Sequence, residues 1–324
     1  MTSSASVPVS DQLTVVAIGN NSLTQSHQVG TIPEQRENST ATCQALAELI
    51  GLGHKVVVTH ANGPQIGNVL QRVELASKEV YRLPMDICGA DTQGGIGYML
   101  QQILGTELRR RGFSDQVATL VTQVRVDLAD PAFESPNKAV GPFIAEQDAL
   151  KMRDESGWSV KHVDSRGWRR FLPSPKPLEI VELPAIRALI AAGITTICTG
   201  GGGVPVYRHG NDLVGLEAVI DKDRATALLA RLLCARTLII STSVPQICVD
   251  FDTPKQRAVD ELTLTQARRL LKEGQFPADS MRPKVEAAIA FLEGGGQEVL
   301  ITNPQNILPA IKGSGGTWIL PDPT

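Results

Sequence analysis

The feature of this sequence that most constrains its fold is a regular alternation of short β-branched segments with longer amphipathic segments. The strand-like segments lie at residues 13–18, 55–59, 117–122, 194–199, 237–241 and 298–302. The helical patterns lie at residues 34–52, 65–75, 93–111, 184–192, 221–233, 265–273 and 283–292. Strands that alternate with helices are typical of parallel sheets, whose crossover connections are usually helical. The pattern therefore predicts an α/β fold with a largely parallel open sheet.

The composition excludes several other classes of protein. A net charge of -3, with 20% charged and 42% hydrophobic residues, is typical of a globular protein and argues against nucleic-acid binding. No apolar run approaches the roughly 18 residues that span a bilayer, so no membrane association is expected. An export signal carries lysine or arginine near its start, and residues 1–12 carry neither. We therefore predict a cytoplasmic protein and interpret residues 1–12 as a disordered tail. The five widely spaced cysteines favour buried thiols over disulfides or zinc.

Residues 127–176 interrupt the alternation, and we call this segment the insertion. It is rich in proline and charge, shows no strong periodicity and contains Trp158 and Trp168. About 50 residues is too long for a plain loop within a compact domain. We interpret the insertion as a small subdomain, and as a candidate lid, within a main domain that spans residues 13–320. A decorative insertion away from any site is the alternative.

Three strand-like segments end in turns rich in glycine and asparagine. These turns are Gly-Asn-Asn-Ser at 19–22, His-Ala-Asn-Gly-Pro-Gln at 60–65, and four glycines at 200–203. Ligands of open parallel sheets bind outside the carboxyl ends of the strands, so the turns would share one edge. Glycine lets backbone N–H groups approach an anion, and a following helix N-terminus adds positive potential. Together the three turns predict a site for a phosphorylated ligand.

Known phosphate-binding motifs of other architectures are missing. The sequence has neither the G-x-x-x-x-G-K-[ST] loop of P-loop NTPases nor the H-R-D and D-F-G motifs of protein kinases. Three lysines are candidates for binding phosphate: Lys222 between Asp221 and Asp223, Lys284 after Pro283, and Lys138 in the insertion. Taken singly, an acidic first turn is a common helix start, and a lysine is usually a solvated surface charge. His60 is interpreted as a structural residue that supports the second turn.

From about residue 13 to residue 318 the sequence resembles carbamate kinase, a member of the amino-acid kinase family. The stretches that carry the resemblance are Thr-His-Ala-Asn-Gly-Pro-Gln-Ile-Gly at 59–67, Gly-Gly-Gly-Gly-Val-Pro-Val at 200–206, Ala-Val-Ile-Asp-Lys-Asp at 218–223 and Pro-Lys-Val-Glu-Ala-Ala at 283–288. The insertion matches as well, through residues 130–133, 167–170 and 173–177. The resemblance implies a three-layer α/β/α sandwich with a protruding lid and a homodimer.

The resemblance also implies a reaction, ATP plus carbamate giving ADP plus carbamoyl phosphate, with Mg²⁺ carried by the nucleotide and no direct metal ligand on the protein. It implies ATP formation in arginine or purine-derived nitrogen catabolism. Carbamate is already an anionic nucleophile, so positioning and cations would suffice without a general base. The residues implied are Lys138, Lys222, Asp223 and Lys284 for catalysis; Gly19, Asn20, Asn21, Ala61, Asn62, Gly63, Gly201 and Gly202 for substrate or phosphate; and Ser243, Met281 and Arg282 for nucleotide.

Four of these positions depart from the pattern of the family. Asn20 and Ala61 stand where the family usually has glycine, and Ser243 stands where it has aspartate. Arg282 stands where it has glycine and adds a long cation near Lys284. Asparagine tolerates a positive φ better than most residues, so Asn20 is the mildest change. Three hypotheses remain open: an active carbamate kinase, a related kinase for another small carbamoyl or acyl phosphate, and a weakly active regulatory paralogue.

Overall fold

A computed structural model describes residues 13–277 and 280–323, so the predicted N-terminal tail, residues 1–12, lies outside the described residues. In chain order the strands are β1 (Leu13–Ile18), β2 (Lys55–His60), β3 (Val117–Thr119), β4 (Gln123–Arg125), β5 (Lys138–Ile144), β6 (Ser159–Asp164), β7 (Gly167–Leu172), β8 (Glu179–Ile180), β9 (Thr195–Ile197), β10 (Val204–His209), β11 (Asp212–Gly215), β12 (Thr237–Ser241), β13 (Ile247–Val249), β14 (Arg257–Val259), β15 (Glu261–Thr263), β16 (Glu298–Thr302) and β17 (Thr317–Leu320).

The helices are α1 (Ile32–Gly51), α2 (Gly63–Ala76), α3 (Met85–Arg110), α4 (Glu146–Ser156), α5 (Leu183–Ala191), α6 (Lys222–Leu232), α7 (Leu264–Lys272), α8 (Met281–Glu293) and α9 (Ile307–Ile311). Short 3₁₀ turns lie at Asn20–Ser22, Pro131–Phe133, Gly200–Gly202 and Pro304–Asn306. Among the described helices, none is long and apolar enough to cross a membrane.

The main sheet has eight strands in the order β15-β17-β16-β12-β1-β2-β9-β3. Its strands from β16 to β3 run parallel, and β17 pairs antiparallel to β16. All residues of β1 and β12 are buried, as expected for central strands covered on both faces. The predicted α/β fold with a largely parallel sheet is confirmed.

Two apolar cores flank this sheet, one on each face. Val15 and its partner Leu238 belong to the core that packs α5–α8. The next pair along the strands, Val16 and Ile239, belongs to the core that packs α1, α3 and α9. Successive strand residues point to opposite faces, so the alternation divides the apolar residues between two helical layers. The result is the α/β/α sandwich implied by the family resemblance.

The insertion forms a separate antiparallel sheet in the order β5-β7-β6, with α4 packed on it. A third sheet has the strand order β11-β10-β4-β8. Its four strands come from the part of the chain between β3 and α6. The insertion is tied to the main domain by two ion pairs, Lys138 to Asp221 (3.1 Å) and Arg170 to Glu217 (2.5 Å). Its residues are mostly half-buried or exposed, unlike those of the main sheet.

Most predicted elements differ from the observed ones at one or both ends, and the three differences described next have a side-chain cause. The helix predicted to begin at residue 93 begins at Met85, because Glu217 accepts the Met85 N–H at 2.9 Å from far along the chain. The strands predicted at 117–122 and 194–199 stop at Thr119 and Ile197. Beyond those ends the backbone N–H of Thr122 donates to Gln93 Oε1, and the backbone N–H of Thr199 donates to Thr122 Oγ1. These side chains replace the hydrogen bonds between the strands.

Candidate active site

The turns that follow β1, β2 and β9 meet at one edge, because these three strands are adjacent and parallel. This confirms the predicted common edge. At Gly19 a Cβ atom would lie 2.6 Å from the carbonyl oxygen of Ser241, so β1 and β12 can approach there only with glycine. Gly202 has a φ of +95°, and a Cβ on it would lie 2.4 Å from the Ile220 carbonyl oxygen. Glycine is required at both positions by backbone contact.

Asparagine side chains link the three turns to one another. The Gly63 N–H, at the start of α2, donates to Asn20 Oδ1 at 3.3 Å. The Asn62 side chain donates to Thr92 Oγ1 at 2.9 Å and lies against Gly201, where a Cβ would come within 2.3 Å of Asn62 Nδ2. Asn20 belongs to a 3₁₀ turn and does not have a positive φ. The ability of asparagine to adopt a positive φ therefore does not explain this residue.

Two lysines, with side chains 10% and 15% exposed, and one buried aspartate form a cluster beside these turns. Lys222 Nζ lies 3.0 Å from Asp223 Oδ1 and donates to the Ile18 carbonyl oxygen at 3.2 Å, at the end of β1. Lys284 Nζ donates to Asp223 Oδ2 at 2.9 Å. Asp223 is 5% exposed. Residues from α6, α8 and β1 therefore converge on one point of the sheet edge and hold two ammonium groups on one carboxylate.

The electrostatics of this cluster favour the charged carboxylate and leave one positive charge uncompensated. Burial raises the pKa of Asp223, but the charges of Lys222 and Lys284 outweigh it, so that its net pKa is well below the usual range. Burial lowers the pKa of Lys222, while Asp223 opposes that shift and Lys284 adds to it. A buried site with two cations and one anion is suited to a further anion, such as a phosphoryl group.

The third lysine of the sequence prediction reaches the same region from the insertion. Lys138, at the start of β5, donates to Asp221 Oδ2 at 3.1 Å. Asp221 is the N-cap of α6, because its Oδ1 accepts the N–H groups of Asp223 and Arg224. The structure therefore brings Lys138 next to the turn that carries Lys222. The lysine is 49% exposed, so its charge is only partly desolvated.

His60 is a buried structural residue, as interpreted from the sequence. It is 1% exposed, and its Nδ1 lies 3.0 Å from the Ala61 carbonyl oxygen. Burial lowers the pKa of His60 to about 4, so the ring is neutral at pH 7. A Cβ on Gly200 would lie 2.4 Å from His60 Nε2, so the imidazole packs directly under the glycine turn. Ala61 beside it is also buried.

The predicted nucleotide residues are not all brought together. Ser243 lines a cavity of about 460 Å³ with Asn21, Thr242 and Asn303, at the ends of β12 and β16. Met281 packs against the α5–α8 core at the start of α8 instead. Arg282 Nε donates to Glu286 Oε1 at 2.9 Å along α8, and its side chain is 54% exposed. Its guanidinium is therefore paired with a carboxylate of its own helix.

Two features of the site were not identified from the sequence. Asp221 was interpreted only as part of a helix start, although its side chain also holds Lys138. Arg169 was noted only as part of a matching stretch, yet it lines a cavity of about 500 Å³ between the insertion and the first two turns. The sequence shows only that Arg169 follows Trp168 in a segment rich in charge. It does not show which face of a strand the Arg169 side chain occupies.

Comparison with known proteins agrees with the geometry. The model of the amino acid kinase family matches residues 12–303, and the chain belongs to this family. It is 43% identical over 310 residues to a carbamate kinase of Pyrococcus horikoshii, covering 95% of this chain and 98% of that protein. It is 42% identical over 313 residues to the carbamate kinase-like protein YahI of Escherichia coli, covering 95% and 99%.

A solved structure matches equally well. The carbamate kinase of Giardia lamblia bound to AMP-PNP superposes with a TM-score of 0.92 at 38% identity, over 97% of this chain and 100% of that one. The family and these relatives identify the chain as a kinase, that is, a phosphotransferase. The predicted resemblance is confirmed.

Proposed function

We propose that this kinase interconverts ATP plus carbamate with ADP plus carbamoyl phosphate. The observation that carries the proposal is the buried cluster of Lys222, Lys284 and Asp223 at the carboxyl end of β1. In phosphoryl transfer the transition state spreads negative charge over the equatorial oxygens of phosphorus. Two preorganised ammonium groups with one positive charge in excess match that charge, and they lie on the sheet edge where ligands of this fold bind.

Most of the predicted residues have a role in this proposal. Lys222 and Lys284 would bind the transferred phosphoryl group, and Asp223 would orient both ammonium groups. The Gly19, Gly201 and Gly202 turns would line the phosphate path with backbone N–H groups. Asn62 and Gly63, at the start of α2, would hold the carbamate end, where the N-terminus of a 14-residue helix favours an anion. No residue needs to remove a proton, because carbamate is already an anion.

We propose that the described residues receive Mg²⁺ together with the nucleotide. They contain no group of three or more His, Cys, Asp or Glu side chains that could hold a metal. Both oxygens of Asp223 already contact a lysine. Mg²⁺ is commonly held by substrate phosphates with few protein ligands, and when bound it would neutralise charge on the nucleotide phosphates. Asn21 and Ser243 at the 460 Å³ cavity would contact the nucleotide, while nucleotide contacts of Met281 and Arg282, at the start of α8, stay predictions from the family resemblance.

The insertion is proposed to be a lid. Its sheet is separate from the main sheet, and Lys138 extends from it to the turn that carries Lys222. A lid that excludes water would protect carbamate and carbamoyl phosphate, both of which decompose in water. From the family resemblance we further propose a cytoplasmic homodimer that forms ATP in arginine or purine-derived nitrogen catabolism.

The test is ATP formation from ADP and millimolar carbamoyl phosphate, by the purified chain, with and without Mg²⁺. We expect ATP at a rate far above the buffer control, and loss of the rate with excess EDTA. Acetyl phosphate serves as the comparison substrate. Absence of ATP formation by folded protein with Mg²⁺ present would contradict the proposal.

One observation favours a second candidate, a kinase for a related small acyl or carbamoyl phosphate. The Gly63 N–H donates to Asn20 Oδ1. A glycine at position 20 would leave this N–H free to bind the phosphoryl acceptor. An acceptor that does not need this N–H would then be preferred. A higher kcat/KM with acetyl phosphate than with carbamoyl phosphate would support this candidate over the first.

A further inference from the structure

The cavity between the insertion and the main domain has an unusual lining. It has a volume of about 500 Å³ and is bounded by Asn20 and Asn21 on the 3₁₀ turn, by Gly63 at the start of α2, and by Gly141 and Arg169 of the insertion. Apart from Arg169, the described residues that line it are apolar, glycine, or neutral amides and hydroxyls. One cation therefore faces a cavity whose described lining contains no carboxylate.

Arg169 differs in this respect from the two arginines next to it. Arg166 pairs with Asp164 at 2.6 Å, and Arg170 pairs with Glu217 at 2.5 Å. Among the described residues no carboxylate lies within 4 Å of Arg169. Consecutive residues of β7 point to opposite faces of its sheet, so Arg169 and Arg170 face different surroundings. The insertion thus contains one arginine whose charge is not compensated by the chain.

The guanidinium of Arg169 is held in place despite having no carboxylate partner. Its Nη2 donates to the Gly141 carbonyl oxygen at 2.8 Å, and its Cζ lies 5.3 Å from the centre of the Phe143 ring. Its Nε is buried without a hydrogen-bond partner among the described residues. Burial lowers the pKa of Arg169, and the charge of Arg166 adds to that effect. Partial burial of an uncompensated cation is unfavourable unless an anion joins it.

We propose that Arg169 binds the anionic end of the phosphoryl acceptor, so that the acceptor is held between the N-terminus of α2 and the insertion. The inference rests on the proposed function for the identity of the acceptor, carbamate. An arginine fork is suited to a carboxylate because it presents two parallel N–H donors. Carbamate has four non-hydrogen atoms and fills a small part of 500 Å³, so the proposed lid would have to close for Arg169 and the start of α2 to contact it together.

The charge of the acceptor differs between the two directions of the reaction, and this difference gives the inference a signature. In the ATP-consuming direction carbamate is an anion before reaction. In the ATP-forming direction the carbamoyl group is neutral in carbamoyl phosphate. It becomes anionic as the bond between its oxygen and phosphorus breaks, the electron pair stays on that oxygen, and an ADP oxygen bonds to phosphorus. Arg169 therefore assists ground-state binding in one direction and the transition state in the other.

The experiment compares Arg169→Met with Arg166→Met, which is a matched control because Arg166 lies 4.4 Å from the same Phe143 ring but is paired with Asp164. For Arg169→Met we expect KM for carbamate to rise about tenfold to a hundredfold, with KM for ATP nearly unchanged. In the ATP-forming direction we expect kcat to fall by a similar factor while KM for carbamoyl phosphate changes less. Arg169→Lys, which keeps the charge and loses the fork, is expected to lie between the two.

Two results would overturn the inference. One is an Arg169→Met enzyme whose kinetic constants in both directions stay within about twofold of the wild type. The other is an equal loss in Arg166→Met, which would indicate a general defect of the insertion. Thermal unfolding of each variant shows whether a kinetic loss comes from misfolding.

A binding measurement separates this inference from the proposed function. Bicarbonate is a planar anion with the shape of carbamate. Trp168 precedes Arg169 in β7 and points to the other face of the sheet, so its fluorescence would report a change in the strand and not a direct contact with the anion. Saturable quenching of tryptophan fluorescence by bicarbonate, lost in Arg169→Met and kept in Arg166→Met at equal ionic strength, would support the anion site even if the wild type makes no ATP. No bicarbonate-dependent change in the wild type, together with unaffected kinetics in Arg169→Met, would overturn it.

Discussion

The site charges of the main domain and Lys138 of the insertion are held very differently. The side chains of Lys222, Asp223 and Lys284 are 10%, 6% and 15% exposed. Lys138 of the insertion is 49% exposed, although it lies against the same turn. Charges interact far more strongly in a buried site than in water. The main domain thus holds its site charges in buried surroundings on α6 and α8, whereas Lys138 of the insertion stays half in solvent.

Replacing either lysine of the buried cluster is the strongest test of this difference. We expect Lys222→Met and Lys284→Met each to lower kcat about 10²–10³-fold, the usual cost of one preorganised charge at a transition state. Each variant leaves Asp223 paired with one lysine and removes the excess positive charge. Thermal stability should therefore stay at or above that of the wild type, since active sites commonly trade stability for function.

The measurement for these variants is kcat for ATP formation together with the unfolding temperature. Lys272→Ala is the control, because Lys272 is exposed at the end of α7. A lysine variant that keeps more than half of the wild-type kcat would show that the residue does not contact the phosphoryl group.

Lys138 should have a smaller effect if the insertion is a mobile lid with half-solvated charges. We expect Lys138→Met to lower kcat/KM about tenfold, because one charge-assisted contact in partly solvated surroundings is lost. The fluorescence of Trp158 and Trp168 should change after MgADP and carbamoyl phosphate are added and the reaction has reached equilibrium. A Trp318→Phe background removes the signal of the tryptophan in β17. Unchanged fluorescence and unchanged proteolysis of residues 127–176 would show that the insertion is rigid.

Ser243 tests the main-sheet side of the site at its nucleotide end. Serine supplies a hydrogen bond but no charge, and it lies exposed at the rim of the 460 Å³ cavity. We expect Ser243→Asp to lower KM for ADP about tenfold, the effect of one charge-assisted contact. Ser243→Ala controls for the hydroxyl group alone. A KM for ADP within a factor of about two of wild type would show that this position does not contact the nucleotide.

His60 is expected to affect stability and not catalysis. Its pKa is lowered by burial to about 4 in the folded chain, against about 6.5 when unfolded. The unfolded chain therefore binds a proton first as pH falls, so stability should decrease between about pH 6.5 and pH 4, by up to about 3 kcal/mol. Urea unfolding across this range would measure it. His60→Gln should show a shallower decrease and His209→Gln, at an exposed position, the wild-type decrease.

The central strands of the main sheet could be predicted because their signals are local, whereas its edge strands β15 and β17 were not predicted. The residues of β1, β12 and β16 were predicted with the bounds that the structure shows, since each is a short β-branched run with a turn after it. Glycine at positions 19 and 202 is required by contacts with the backbone of neighbouring strands or turns. The resemblance to the amino-acid kinase family predicted the α/β/α layers and indicated which three lysines belong to the candidate site.

The sequence by itself determined the α/β class, the central strands, the three turns at one edge and the candidate lysines. The tertiary structure alone decided that Glu217 accepts the first N–H of α3, that Arg282 pairs with Glu286, and that Arg169 faces a cavity whose described lining has no carboxylate. The physical reason is the range of the interactions. Periodicity and turn chemistry act between residues a few positions apart, whereas a cap, an ion pair or an uncompensated charge depends on which distant side chains folding brings within a few ångströms.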